Sequence, residues 1–127
     1  MISLPFPPAS LSGHNTGHWG GKSPVIAKHR EWACTAAQAE NIGIPQTGDI
    51  LLAVRFMPPD NRGDRLNFPN RMKPYFDGIA EGLGVNDKRF VPYYIYDEPA
   101  KPGEVQVTVL PVAVLPRALR SFEGLAA

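Results

Sequence analysis

Cysteine is nearly missing from this 127-residue chain, with Cys34 standing alone. One thiol cannot close an internal disulfide, and without a second cysteine a zinc finger or knuckle is excluded. Cys34 falls where a helix is expected and reads as a small buried hydrophobe rather than a nucleophile. No apolar run approaches the roughly 18 residues of a membrane-spanning helix. The opening Met1–Pro8 has neither a basic stretch nor a long apolar one, so no signal peptide is expected. The first 30 positions hold no acidic residue, yet they include Lys22, Lys28, Arg30, His14, His18 and His29. These absences together predict a soluble, cytoplasmic protein.

A hydrophobic share of 43% suffices for one modest core, and the length suits one domain spanning 1–127. The net charge of +1 is unevenly spread: residues 1–75 hold eight Lys/Arg against five Asp/Glu, and 76–127 hold five against seven. A basic N-terminal half can face phosphate, although a solvated loop and helix surface has the same composition.

Ile2–Phe6 predicts a short strand stopped by Pro7-Pro8. Ser23-Pro24 is a helix start, with a capping oxygen followed by a proline that fits the first turn. Val25, Trp32, Ala33, Ala36 and Ala37 continue at helical spacing, so the helix is expected over Pro24–Glu40, with Gly43 beyond it. Ile50–Phe56 is an apolar run of strand length that predicts a strand inside a sheet. A charged loop, Asp60–Asn67, leads to a second helix over about Asn70–Leu83, starting as late as Lys73 because Pro74 must lie in its first turn. Gly82 and Gly84 are its expected stop. Phe90–Tyr96 predicts a third strand, placed at an edge or bulge by Pro92. Glu104–Leu110 alternates Val105, Val107 and Val109 and predicts a fourth. A weaker helix pattern lies near Arg117–Glu123. The order β-α-β-α-β-β implies an α/β (α+β) fold, a mixed sheet covered by helices.

The chemistry-bearing residues cluster between the second and third strands. Asp64 leaves the second strand and Asp87 enters the third. If those strands are neighbours, the two loops can meet at one edge and form an oxygen-rich site for Mg²⁺. Lys73 then adds positive charge near a phosphate. The plainer readings are equally physical: Asp64 as a cap or turn residue, Lys73 and Asp77 as an i,i+4 ion pair, and Asn86-Asp87 as a turn.

The run Asp64-Arg65-Leu66-Asn67, then Arg71-Met72-Lys73, then Asp77-Gly78-Ile79-Ala80-Glu81-Gly82-Leu83-Gly84-Val85-Asn86-Asp87 resembles the RusA family of crossover-junction endodeoxyribonucleases. There a D-x-D-N motif precedes a basic helix and a D-G-I-A-x-x-L-G-V-x-D segment. The N-terminal Leu4-Pro5-Phe6-Pro7-Pro8, Asn15, His18-Trp19, Lys22, Lys28 and Arg30 follow the family's order too, and the likeness covers about residues 2–110. It implies a homodimer that cleaves branched DNA with Mg²⁺, a dimer matching the two-fold symmetry of a four-way junction. It implies that Asp64 and Asp87 bind the metal, that Lys73 is a catalytic or phosphate contact, and that Asn67 shapes the loop. His18, Lys22, Lys28, Arg30, Arg62, Arg65 and Arg71 become candidate DNA contacts, positional rather than sequence-reading. The family's second motif acid falls at Leu66, which cannot ligate a metal. Either another acid takes its place, with Asp60 and Asp77 nearest, or metal affinity is reduced, or this member holds branched DNA without cutting it.

Overall fold

The structure, a computed structural model, describes residues 1–12 and 24–110. Its strands are β1 (Ile2–Pro5), β2 (Ile50–Met57), β3 (Phe90–Tyr96) and β4 (Glu104–Val109), and its α-helices are α1 (Pro24–Ala39) and α2 (Lys73–Leu83). Short 3₁₀ turns cover Ala9–Leu11, Arg65–Arg71 and Asp87–Arg89. The expected β-α-β-α-β-β order holds, and the strands form one mixed sheet ordered β1-β4-β2-β3. β4 runs antiparallel to β1 and β2, while β2 and β3 are parallel. A parallel pair needs a crossover, and α2 lies on it. The cap at Ser23, the loop carrying His14, Asn15, His18, Trp19 and Lys22, and the helix pattern near Arg117–Glu123 lie outside the described residues.

β2 is an interior strand, as its apolar run predicts. Its far end nevertheless alternates: Val54 and Phe56 are buried, whereas Arg55 between them is exposed and pairs with Asp97 at 3.7 Å. Ile50, Leu52, Val54 and Phe56 join Ile2, Leu4, Val105 and Val107 from the sheet, and Ala33, Ala37, Met72, Tyr75 and Ile79 from the helical side, in one core. Burying each large aliphatic side chain there contributes roughly 1.5–3 kcal/mol. Among the described strands β3 pairs only with β2, an edge position that tolerates the missing N–H of Pro92.

α2 starts at Lys73, the later limit set by Pro74, and ends at Gly84, whose φ of 71° is left-handed. Gly82 belongs to a different device from the stop expected of it. A Cβ there would fall 2.6 Å from the Cys34 carbonyl oxygen and 2.8 Å from Ala37 Cβ; one on Gly78 would collide with the Arg30 carbonyl and lie 2.9 Å from Ala33 Cβ. Two glycines four residues apart thus form a smooth face on α2 against which the α1 backbone rests. So close an approach leaves room for small side chains only, which corrects the expected apolar stripe of α1. Ala33 and Ala37 are buried with His29, while Val25 and Trp32 are 40% and 38% exposed. His29 Nδ1 lies 2.7 Å from the Val25 carbonyl oxygen, and its ring packs against Trp32 and Tyr75. Among the described residues no helix is long and apolar enough to cross a membrane.

Candidate functional site

The loop leaving β2 is built from local carboxylate turns. Asp60 accepts the Arg62 N–H at 2.9 Å, and Asp64 caps the 3₁₀ turn by accepting the Leu66 N–H at 3.0 Å. The other Asp64 oxygen accepts Asn67 Nδ2 at 3.2 Å, which ties Asn67 into this turn. Leu66 projects from the turn with 82% exposure, while Phe68 anchors it in the core. Arg71 turns inward, over the rings of Phe6 and Phe68, and donates to the Pro7 carbonyl at 3.2 Å. Burial lowers its pKa and leaves Nε without a partner. It acts as an interior strut for this loop.

A different pair of acids converges. Lys73 opens α2, and Asp77 follows one turn later on the same face. After Gly84 the chain folds back along the helix, with the Val85 N–H donating to the Ala80 carbonyl at 2.9 Å, and Asn86 caps the next turn by accepting the Lys88 N–H. That return brings Asp87 beside Asp77. The Lys73 ammonium sits between them, 2.9 Å from Asp77 Oδ1 and 2.6 Å from Asp87 Oδ2. The hydrogen bond from Lys73 holds the Asp87 carboxyl below the usual carboxylate range. The same contact, and then that to Asp77, raises the Lys73 pKa.

Asp77 and Asp87 line a cleft of about 420 Å³ together with Arg30, Ala80, Glu81, Val85 and Asn86. Arg30 reaches it from α1 because the glycine face of α2 brings the helices together, and its Nε donates to Glu81 Oε2 at 3.2 Å. Sequence reasoning passed over Glu81 and Asn86. The available signal was spacing, since Lys73, Asp77 and Glu81 recur every four residues and mark one helix face.

Asp64 and Asp87, the pair expected to meet, are held by different partners. Because β2 and β3 are parallel, the loop leaving β2 and the loop entering β3 start from opposite ends of the strand pair. Asp64 spends its oxygens on its own turn and does not line the cleft. Of the candidate DNA contacts, Arg30 lines the cleft, Lys28 lies over the Trp32 ring, Arg62 pairs with Asp60 at 3.6 Å, and Arg65 is exposed. Among the described residues no group of three or more His, Cys, Asp or Glu side chains is gathered to hold a metal. The donor set on offer is therefore two carboxylates already sharing one cationic neighbour. In general, one or two carboxylates can hold Mg²⁺ when water and substrate phosphate complete its shell.

No family model matches the chain. It is 34% identical over 113 residues to a protein of Xylella fastidiosa (strain Temecula1) described as uncharacterized, an alignment covering 85% of this chain and 74% of that protein.

Proposed function

The chain belongs to the same family as that Xylella fastidiosa protein, and we propose that it is a Mg²⁺-dependent, RusA-type endodeoxyribonuclease that resolves four-way DNA junctions. The observation carrying this reading is the convergence of Asp77 and Asp87, from separate segments, on one ammonium beside Arg30. The order of motifs resembling the RusA family supports it.

Asp77 and Asp87 would hold the metal. The chemistry a bound Mg²⁺ supplies is an activated water and stabilisation of charge on the phosphodiester. Lys73 presents a proton and a positive charge to the leaving oxygen, and Arg30 orients a neighbouring phosphate. The exposed Lys28, Arg62 and Arg65 fix the duplex arms through phosphate contacts. Two copies related by a two-fold axis would set paired cuts across a symmetric junction. The reading places the protein with DNA in the cytoplasm.

A second reading, a relative that holds branched DNA without cutting it, is favoured by one observation. Leu66 stands where the family has an acid, and Asp64 is committed to its cap. Incubation of a labelled four-way junction with Mg²⁺ separates the two. The wild type is expected to nick it, and Asp87→Asn to lose about a hundredfold or more of that rate. Salt-sensitive retention by the wild type with no nicking selects the second reading. Neither retention nor nicking sinks both.

A further inference from the structure

The carboxylates lining the cleft hold two cations, Arg30 from within the lining by Glu81 and Lys73 from beside it by both Asp77 and Asp87. Two cations thus face three carboxylates, and the formal charge is one negative. Such a surface repels a phosphodiester. A divalent cation would reverse the sign, but the place where Asp77 and Asp87 converge is filled by Lys73 Nζ. An ammonium 2.9 Å from Asp77 Oδ1 and 2.6 Å from Asp87 Oδ2 takes one oxygen of each carboxylate, and a metal drawn to those same two oxygens at about 2.0–2.1 Å has to displace it. Two cations competing for the same oxygens also repel one another.

We propose that Lys73 is a displaceable internal counter-cation. In the metal-free protein it holds Asp77 and Asp87 together; when a divalent cation enters, the ammonium leaves them and becomes available to a substrate phosphate. The inference rests on the Mg²⁺ reading above and adds the order of events within that site. Lys73 can make this move because its side chain is 68% exposed, on a flexible stem in the first turn of α2, and its contacts at the head are these two ion pairs. Metal entry and phosphate binding then reinforce each other, and by linkage the effect is reciprocal.

Calorimetric titration with MgCl₂ alone tests the idea on the full-length protein. Lys73→Met keeps the stem but removes the charge, so it is expected to bind Mg²⁺ roughly three- to tenfold tighter, because no exposed ion pairs have to be broken first. Lys73→Arg, which keeps the charge, should bind like the wild type. As a second readout, added Mg²⁺ should raise the unfolding midpoint more in Lys73→Met than in the wild type. Lys73→Gln repeats the charge removal with another side chain, guarding against a defect peculiar to methionine. If the wild type binds Mg²⁺ and both neutral variants bind it equally or more weakly, displacement is wrong and Lys73 is a fixed strut of an intact metal site. If none of the proteins binds Mg²⁺, the metal reading falls as well.

Discussion

Lys73 and Asp87 give the candidate site a definite pH signature. Asp87 is held below its usual range by the Lys73 hydrogen bond, so its contribution is complete above the ordinary carboxylate value of about 3.9. That contribution disappears as pH falls through the lowered value. Lys73 is raised by Asp87 and Asp77, so its contribution is complete below the ordinary value of about 10.4 and disappears as pH climbs through the raised one. Neither group titrates between about pH 5 and 9. The Lys73 side chain is 68% exposed and that of Asp87 30%, so solvent screens the pair and the stabilisation is small. The difference in melting temperature between wild type and Asp87→Asn should stay constant across pH 5–9 and shrink below about pH 4. A difference that instead shrinks between pH 6 and 8 would point to a histidine and remove Asp87 from the explanation.

The two helices meet through their smallest residues, and this contact sets the width of the cleft. Gly78 and Gly82 lie under the α1 backbone at Arg30 and Cys34, which carries the Arg30 guanidinium across to Glu81. In an exposed helix, Gly→Ala usually stabilises by about 0.5–1 kcal/mol. Here the sign should reverse. Gly78→Ala drives a methyl into the Arg30 carbonyl and Ala33, forces the helices apart, and should cost about 1–3 kcal/mol in urea unfolding. A gain in stability would show that the helices are not in contact at that point. Asp64 and Asn86 organise their segments in a comparable local way, each capping a short 3₁₀ turn with a side-chain oxygen. One of these turns ends in a half-buried, inward-facing arginine, and the other delivers Asp87 to α2.

For the molecule as a whole, the relevant property is where charge lies on the surface of a nearly neutral protein. The N-terminal half carries the excess of Lys and Arg, while at the cleft three carboxylates meet two cations. Junction binding should therefore weaken steeply with salt, because each phosphate contact releases condensed counterions. Arg65 and Arg71, close in sequence, separate a DNA role from a structural one. Arg65→Ala should lower the slope of log affinity against log salt by about one. Arg71→Ala should leave that slope unchanged and instead lower the unfolding midpoint, because its guanidinium packs on Phe6 and Phe68 and holds Pro7. Equal slopes for Arg65→Ala and wild type would remove the 60–67 loop from the DNA-binding surface.

Much of the architecture was legible from local chemistry. The strand at 90–96, Lys73 as the latest start open to α2, an edge or bulge at Pro92 and a glycine stop at Gly84 all follow from backbone constraints within a few residues. Those constraints act before any long-range contact forms. The plain readings of Asp64 as a cap and of Lys73 with Asp77 as a helical pair were legible for the same reason. The inward turn of Arg71, the burial of His29 in place of Trp32, and the use of Gly82 for packing were not. Each depends on what lies across an interface, and one chain segment carries no record of its partner. The direction of β3 relative to β2 belongs with them, since the same apolar strand pairs either way. That direction separates the origins of the Asp64 and Asp87 loops, and the return of residues 84–87 along α2 gives Asp87 to Asp77 instead. Residue order was therefore enough to specify the elements and the charged groups they carry, because propensity, capping and periodicity are short-range. Only packing in three dimensions chose which two carboxylates share Lys73, because convergence requires both ends of a crossover to be placed at once.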